Sequence, residues 1–232
     1  MPNDSLECNH SAQKLCVSLV PIFNHLDHNE QAEVARTSRS RTYAKNEIVF
    51  QAGDPSEHLY IVHKGKVKIY NLSESGKEQL IRILYPGDFM GELSVFTDEW
   101  LTSYAEAMEP TEICAIHKSD MQALLEEKPA ISLKLLEESS RRLKEAEKNL
   151  ERLSSLDVEK RLASYLTELA ENENSLKVKL PMSKKDLASY IGSTQETLSR
   201  RLTKFEEKGF IKQTGQRHIS IVDMDSLLEL GE

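Results

Sequence analysis

Glu196, Ser199 and Arg200, in the stretch STQETLSRRL (193–202), fall at i, i+3 and i+4, a spacing that gathers them on one side of a helix. A guanidinium so placed can hold guanine O6 and N7 together. A carboxylate can accept from cytosine N4, and a hydroxyl can reach a base edge or a phosphate. Gln195 adds a side chain able to read adenine or anchor a phosphate. Thr194, Lys212 and Arg217 are of the types that grip the sugar–phosphate backbone. Two plainer arrangements compete. Ser193 and Glu196 have the spacing of a capping box, and Glu196 with Arg200 that of an i,i+4 ion pair worth roughly a few tenths of a kcal/mol.

Such residues need a rigid mount, and the surrounding sequence supplies one. A short helix is expected over about 184–190, ending at Gly192. A second starts after Ser193 or Thr194 and runs to about Lys208. Leu187, Ile191, Leu198, Leu202 and Phe205 give the two a shared apolar face, and Ala188 is small enough for a close crossing. This is a helix-turn-helix pattern. Ile219 and Ile221, alternating after a Gly215 turn, suggest a β-wing beside it. The chain carries a formal charge of −8, yet residues 183–217 hold eight basic and four acidic side chains, a local +4 that leaves −12 for the remainder. A basic module on an acidic body suits a protein that grips DNA with one end.

Upstream the texture is different. Asp27 and Glu30 are a capping pair for a short helix over roughly 28–38. From Thr42 onward, EIVFQAGD, HLYIVHKGKVKIY and EQLIRILYPGDFMGEL are short alternating runs broken by Gly-Asp, Lys-Gly and Pro-Gly-Asp. They read as strands joined by tight turns, and AEAMEPTEICAIHK as the closing strands. Ser119 and Gln122 make another capping pair, and Pro129 fits the first turn of a following helix. In that helix Leu136, Leu143 and Leu150 recur every seven residues, with Ser139, Ala146 and Leu153 between them. The stripe is narrow, the mark of a two-stranded coiled coil, so a homodimer is expected. The alternative is one amphipathic helix lying on its own barrel. LDVEKRLASYLTELAENENSLKVKLPMS then adds a helix, a polar turn and a short strand.

The fold class is therefore α+β: an N-terminal antiparallel β-roll, a long dimerisation helix and a C-terminal winged helix-turn-helix. The expected divisions are a Cys/His segment over 1–20, the roll over 21–128, the dimerisation helix over 129–154 and the DNA-binding domain over 155–232. No run approaches the roughly 18 apolar residues that cross a bilayer. The N-terminus lacks the layout of a secretory signal, so a cytoplasmic protein without membrane partners is expected. Three cysteines, odd in number and widely spread, do not form a secreted disulfide scaffold. With no nucleophile–base constellation and no phosphate loop, an enzyme is not expected.

KNEIVFQAGD, LYIVHKGKVKIY, YPGDFMGELSVF, the long helix and DLASYIGSTQETLSRRLTKFEEKGFI together resemble bacterial transcription regulators of the CRP/FNR family, from about Val17 to Leu230. The resemblance implies a cyclic-nucleotide-binding-like roll (a double-stranded β-helix), a dimer, RNA polymerase as a partner and a palindromic DNA site. The E-x-x-S-R pattern of Glu196, Ser199 and Arg200 is the FNR-like form, for which TTGA-type half-sites are expected. Cyclic-AMP sensors of the family follow Gly-Glu-Leu with an Arg-Ser pair that clamps the phosphate. Here Gly91, Glu92 and Leu93 are present, but Thr102 precedes Ser103, and Ala146 and Glu147 stand where those sensors present hydroxyls. The resemblance thus argues against cyclic AMP.

Oxygen sensors of the family hold an iron–sulfur cluster with three N-terminal cysteines and one in the roll. Cys114 matches the roll position. His10 and Cys16 keep the spacing of the last two N-terminal ligands with histidine replacing cysteine, and Cys8 sits one residue off. Such a set could hold zinc or an iron–sulfur cluster. It could also act as a thiol–disulfide switch in which Cys8 or Cys16 bonds Cys114, an arrangement resembling some FNR-like proteins of Gram-positive bacteria. The departure at His10 favours the switch. The plainer reading is three ordinary thiols, with Cys114 a strand-core residue. His25, His28, His58, His63, His117 and His218 share no ligand spacing and are expected at the surface.

Overall fold

A computed structural model describes residues 17–74, 76–155 and 157–231. The chain divides into two compact units. One runs up to Leu72 and includes Ile81–Leu143; the other takes Ser73–Leu80 and everything from Lys144.

In the first unit, α1 (His28–Thr37) opens with the expected capping box: the Asp27 carboxylate accepts from the backbone N–H of Glu30, and Glu30 accepts from that of Asp27. Eight strands follow, the first three residues of the fifth counting with the second unit: β1 (Ser38–Tyr43), β2 (Ile48–Phe50), β3 (His58–Lys64), β4 (Val67–Leu72), β5 (Glu78–Leu84), β6 (Phe89–Met90), β7 (Tyr104–Ala107) and β8 (Thr111–His117). They form two four-stranded sheets, ordered β1-β8-β3-β6 and β2-β7-β4-β5. The pairs β1–β8, β3–β8 and β4–β7 are antiparallel. This is the β-roll.

Strands β3 and β8 of the β1-β8-β3-β6 sheet are buried on both faces, which explains the nearly unbroken apolar runs LYIV and ICAI. Val62 and Ile113 belong to a core with Phe50, Val67, Ile69, Leu84 and Met90. Leu59, Ile61, Cys114 and Ile116 belong to a second core, with Phe23, Val34 and Met121 of the helical layer.

The helix after β8, α2 (Lys118–Glu127), corrects one expectation. Its N-cap is His117, whose ring nitrogen accepts from the Ser119 N–H, and Ser119 already lies in the first turn. Gln122 does not close a capping box; its amide donates to the Val95 carbonyl. Next, α3 (Pro129–Ser155) begins at the expected proline. It buries Ile131 and Leu135 in the helix-side core. Leu136, Leu143 and Leu150 remain 64%, 62% and 69% exposed.

In the second unit, α4 (Val158–Glu173), β9 (Lys177–Lys179), α5 (Lys184–Tyr190) and α6 (Gln195–Glu207) precede a hairpin of β10 (Ile211–Thr214) and β11 (His218–Ile221). The last helix is α7 (Met224–Gly231). The sheet order is β10-β11-β9. Leu187, Ala188, Ile191, Leu198, Leu202 and Phe205 are all buried, as their spacing requires. No helix among the described residues is long and apolar enough to cross a membrane.

Candidate nucleic-acid interface

The turn between α5 and α6 sets the direction of everything after it. Gly192, at φ +66°, follows the C-cap Ile191 in the left-handed region that glycine enters without a Cβ penalty. Its N–H donates to Ser189 O and the Ser193 N–H to Ala188 O, the paired bonds of a Schellman stop. Ser193 is buried, and Thr194 takes the N-cap position of α6, accepting from the Thr197 N–H at 3.2 Å. Neither plain alternative for Glu196 is realised. The cap is Thr194 rather than Ser193, so Glu196 is not the third residue of a capping box, and no ion pair joins it to Arg200 among the described residues.

Gln195, Glu196 and Arg200 are consequently exposed on the first turns of α6, with Ser199 half-buried beside them. Among the described residues the Arg200 guanidinium is steadied by a long 3.4 Å bond to Thr197 Oγ1. Lys212 projects from β10, and Arg217 lies in the turn of the wing after Gly215, both exposed.

The local basic charge is not evenly available. Arg201, Lys204 and Lys208 converge on one carboxylate, that of Glu159 in α4. Burial pushes that carboxyl up, but Lys204, Arg201 and Lys208 outweigh it and hold it below the usual carboxylate range. Lys185 pairs with Glu78 of the same unit at 3.0 Å. Lys184 donates to Gln213 Oε1. Among the described cations of 183–217, Arg200, Lys212 and Arg217 have neither a carboxylate partner nor an amide acceptor. These three were singled out from sequence. Glu159 was not, because its partners lie some 42 and 45 positions downstream and no local spacing announces them.

The dimerisation candidates sit where the heptad puts them. Leu136, Leu143, Leu150, Leu153 and Ala146 are exposed on α3, and Ser139 is half-buried, its hydroxyl donating to Leu135 O. In the roll, a cavity of about 150 Å³ is lined by Arg82, Gly91, Glu92, Leu93, Thr102 and Ser103, among others. Glu92 braces this wall to α3: its Oε1 lies 3.0 Å from Arg142 Nη1 and 3.9 Å from Arg82 Nη2. Arg142 also donates to Phe89 O and stacks over the Phe89 ring at 4.0 Å. Gly91 has to be glycine, since at φ +80° any Cβ would press on the His58 carbonyl.

Of the thiol and imidazole candidates, Cys8, His10 and Cys16 lie outside the described residues. Cys114 is buried in β8, cross-strand from Ser40 and Ile61, and shares the helix-side core with Val17. Among the described residues no group of three His, Cys, Asp or Glu side chains is arranged to hold a metal. The histidines are not uniformly superficial as expected: His58 and His63 are half-buried, and His58 meets the His117 ring edge-on at 5.1 Å.

The family description "Cyclic nucleotide-binding domain" matches residues 40–128 and "Crp-like helix-turn-helix domain" matches 160–230. The chain is 33% identical over 212 residues to the "Probable transcriptional regulator flp" of Lacticaseibacillus casei, covering 90% of this chain and 96% of that one. It is 29% identical over 225 residues to the "Anaerobic regulatory protein" of Haemophilus influenzae, covering 95% and 85%. The structure of FixK2 from Bradyrhizobium japonicum superposes with a TM-score of 0.73 at 26% identity, covering 84% of this chain and 98% of that one.

Proposed function

Because this chain belongs to the CRP/FNR family of transcription regulators, we propose that it reads a palindromic DNA site of TTGA-type half-sites as a homodimer in the cytoplasm, working with RNA polymerase. The observation that carries the reading is the exposed triplet Gln195, Glu196 and Arg200 at the start of α6, flanked by the uncommitted cations Lys212 and Arg217. Arg200 supplies the bidentate contact to guanine, Glu196 the acceptor for cytosine, and Lys212 and Arg217 the phosphate grip. Thr194 sets the helix start as its cap, and its backbone N–H is the group proposed to meet a phosphate.

The signal we propose is redox state, sensed through Cys114 and an N-terminal thiol. Cys114 lies in the core of β8, and the proposed partner thiol is that of Cys8 or Cys16. Two thiols would surrender two protons and two electrons to a peroxide, released as two waters, as the disulfide forms. The name of the Haemophilus relative, anaerobic regulatory protein, points the same way. The cavity behind Glu92 supports a second reading, a small-ligand signal, but Thr102 stands where cyclic-AMP sensors carry their phosphate-clamping arginine, and the lining Arg82 faces Glu92 instead.

The test is fluorescence anisotropy with a duplex carrying two TTGA half-sites and a scrambled duplex, on reduced and peroxide-treated protein. The palindrome is expected to bind about a thousandfold tighter or better. Oxidation is expected to shift that affinity at least tenfold in the wild type and not in Cys114→Ser. Equal binding by both wild-type redox states removes the redox signal and leaves the DNA reading intact.

A further inference from the structure

Glu159 stands in the first turn of α4 yet is only 9% exposed. Its Oε2 lies 2.5 Å from Arg201 Nη1 and 3.0 Å from Lys204 Nζ, and its Oε1 lies 3.6 Å from Lys208 Nζ. The three cations follow each other at i, i+3 and i+7, so they form one stripe beside the buried face of α6. Arg200 belongs to a different stripe, exposed and without a carboxylate. A single buried acid thus tethers three of the four basic side chains between residues 200 and 208. A tethered cation meets a phosphate only by giving up its partner, and here the partner is a carboxylate that burial makes costly to leave alone.

Resting on the DNA-binding reading above, we propose that Glu159 is a specificity-setting residue: by holding Arg201, Lys204 and Lys208 off the duplex, it leaves Arg200 as the one cation of α6 delivered to the bases. Sequence-independent affinity rises with the number of phosphates neutralised, whereas discrimination comes from base contacts. Masking three cations therefore keeps binding to random DNA weak while sparing the readout through Arg200. Glu159 touches no DNA in this scheme; it acts through the residues it restrains.

The experiment compares wild-type full-length protein, Glu159→Gln and the triple variant Arg201→Gln, Lys204→Gln, Lys208→Gln. Each is titrated by anisotropy against the TTGA palindrome and the scrambled duplex between about 50 and about 200 mM salt. In Glu159→Gln the scrambled duplex should bind more tightly. Its log K against log salt slope should steepen by about 0.9 for each cation released. The palindrome-to-scrambled ratio should fall about tenfold. The triple variant should keep the wild-type slope, because its missing cations never reached phosphate. The proposal is overturned if Glu159→Gln leaves slope and ratio unchanged, or if the triple variant flattens the slope by about 2 or more. Should Glu159→Gln lose its thermal transition, the triple variant decides alone. A wild type that binds neither duplex is a different outcome, and it removes the DNA-binding reading itself.

Discussion

Arg200 is held loosely on its own helix, by a 3.4 Å bond to a threonine hydroxyl, and that looseness suits the base contact proposed for it. A bidentate guanidinium–guanine contact contributes about 1–3 kcal/mol of discrimination. Arg200→Gln should therefore weaken the palindrome roughly 10- to 100-fold, and the loss should vanish when the contacted guanine is replaced. Its effect on the scrambled duplex should be limited to about 0.9 in salt slope. A uniform loss across all duplexes would instead make Arg200 a phosphate contact. Thr194, by contrast, commits its side chain to the cap, so the DNA contact proposed for it falls to its backbone. The stretch 193–202 was legible at this scale because capping, turn and helix spacing obey short-range rules. What it could not reveal was which neighbouring cations are already engaged.

At the scale of the element, α3 carries two apolar stripes with different destinations. Ile131 and Leu135 are buried within the chain, whereas Leu136, Leu143 and Leu150 are exposed among the described residues. A leucine row more than 60% exposed, repeating every seven residues, has the pattern of a coiled-coil seam and is the dimer surface we propose. Burying one leucine is worth about 1.5–3 kcal/mol, and a two-fold axis counts it twice. Leu143→Glu should weaken the dimer at least a hundredfold by that arithmetic, seen as a monomer in sedimentation velocity at concentrations where the wild type is dimeric. The variant should also stop distinguishing the palindrome from an isolated half-site. A dimer that survives the substitution places the seam elsewhere. The heptad was plain in the sequence. The capping of α2 was not, because the choice of His117 over Ser119 depends on where β8 ends and on Gln122 being drawn to Val95.

For the whole molecule, many acidic side chains are committed to partners in the fold. Hydrogen bonds from Arg152 to Glu168 and from Arg141 to Glu138 hold those carboxyls below the usual range. Backbone N–H groups of Glu30 and Lys160 do the same for Asp27 and Asp157. A carboxyl depressed in the folded state contributes stability above its unfolded pKa of roughly 4, and loses it as pH falls through the lower folded value. In that window the unfolded chain binds more protons, so stability drops with acid. The melting temperature should stay nearly level from neutrality to about pH 5 and fall steeply below about pH 4. A flat profile down to about pH 3 would show these pairs to be energetically silent.

What the sequence determined by itself was everything that depends on neighbours within a few positions. The Asp27–Glu30 box, the glycine stop at Gly192, the leucine heptad and the exposed face of Glu196 and Arg200 all follow from helix and turn geometry acting locally. Tertiary structure alone decided the rest. It buried the β8 strand on both faces, locked Arg142 onto Glu92, and gathered Arg201, Lys204 and Lys208 around Glu159. Those outcomes join positions more than 40 residues apart. Attraction between distant charges carries no periodicity along the chain, and packing chooses among the many acids and bases that could have paired.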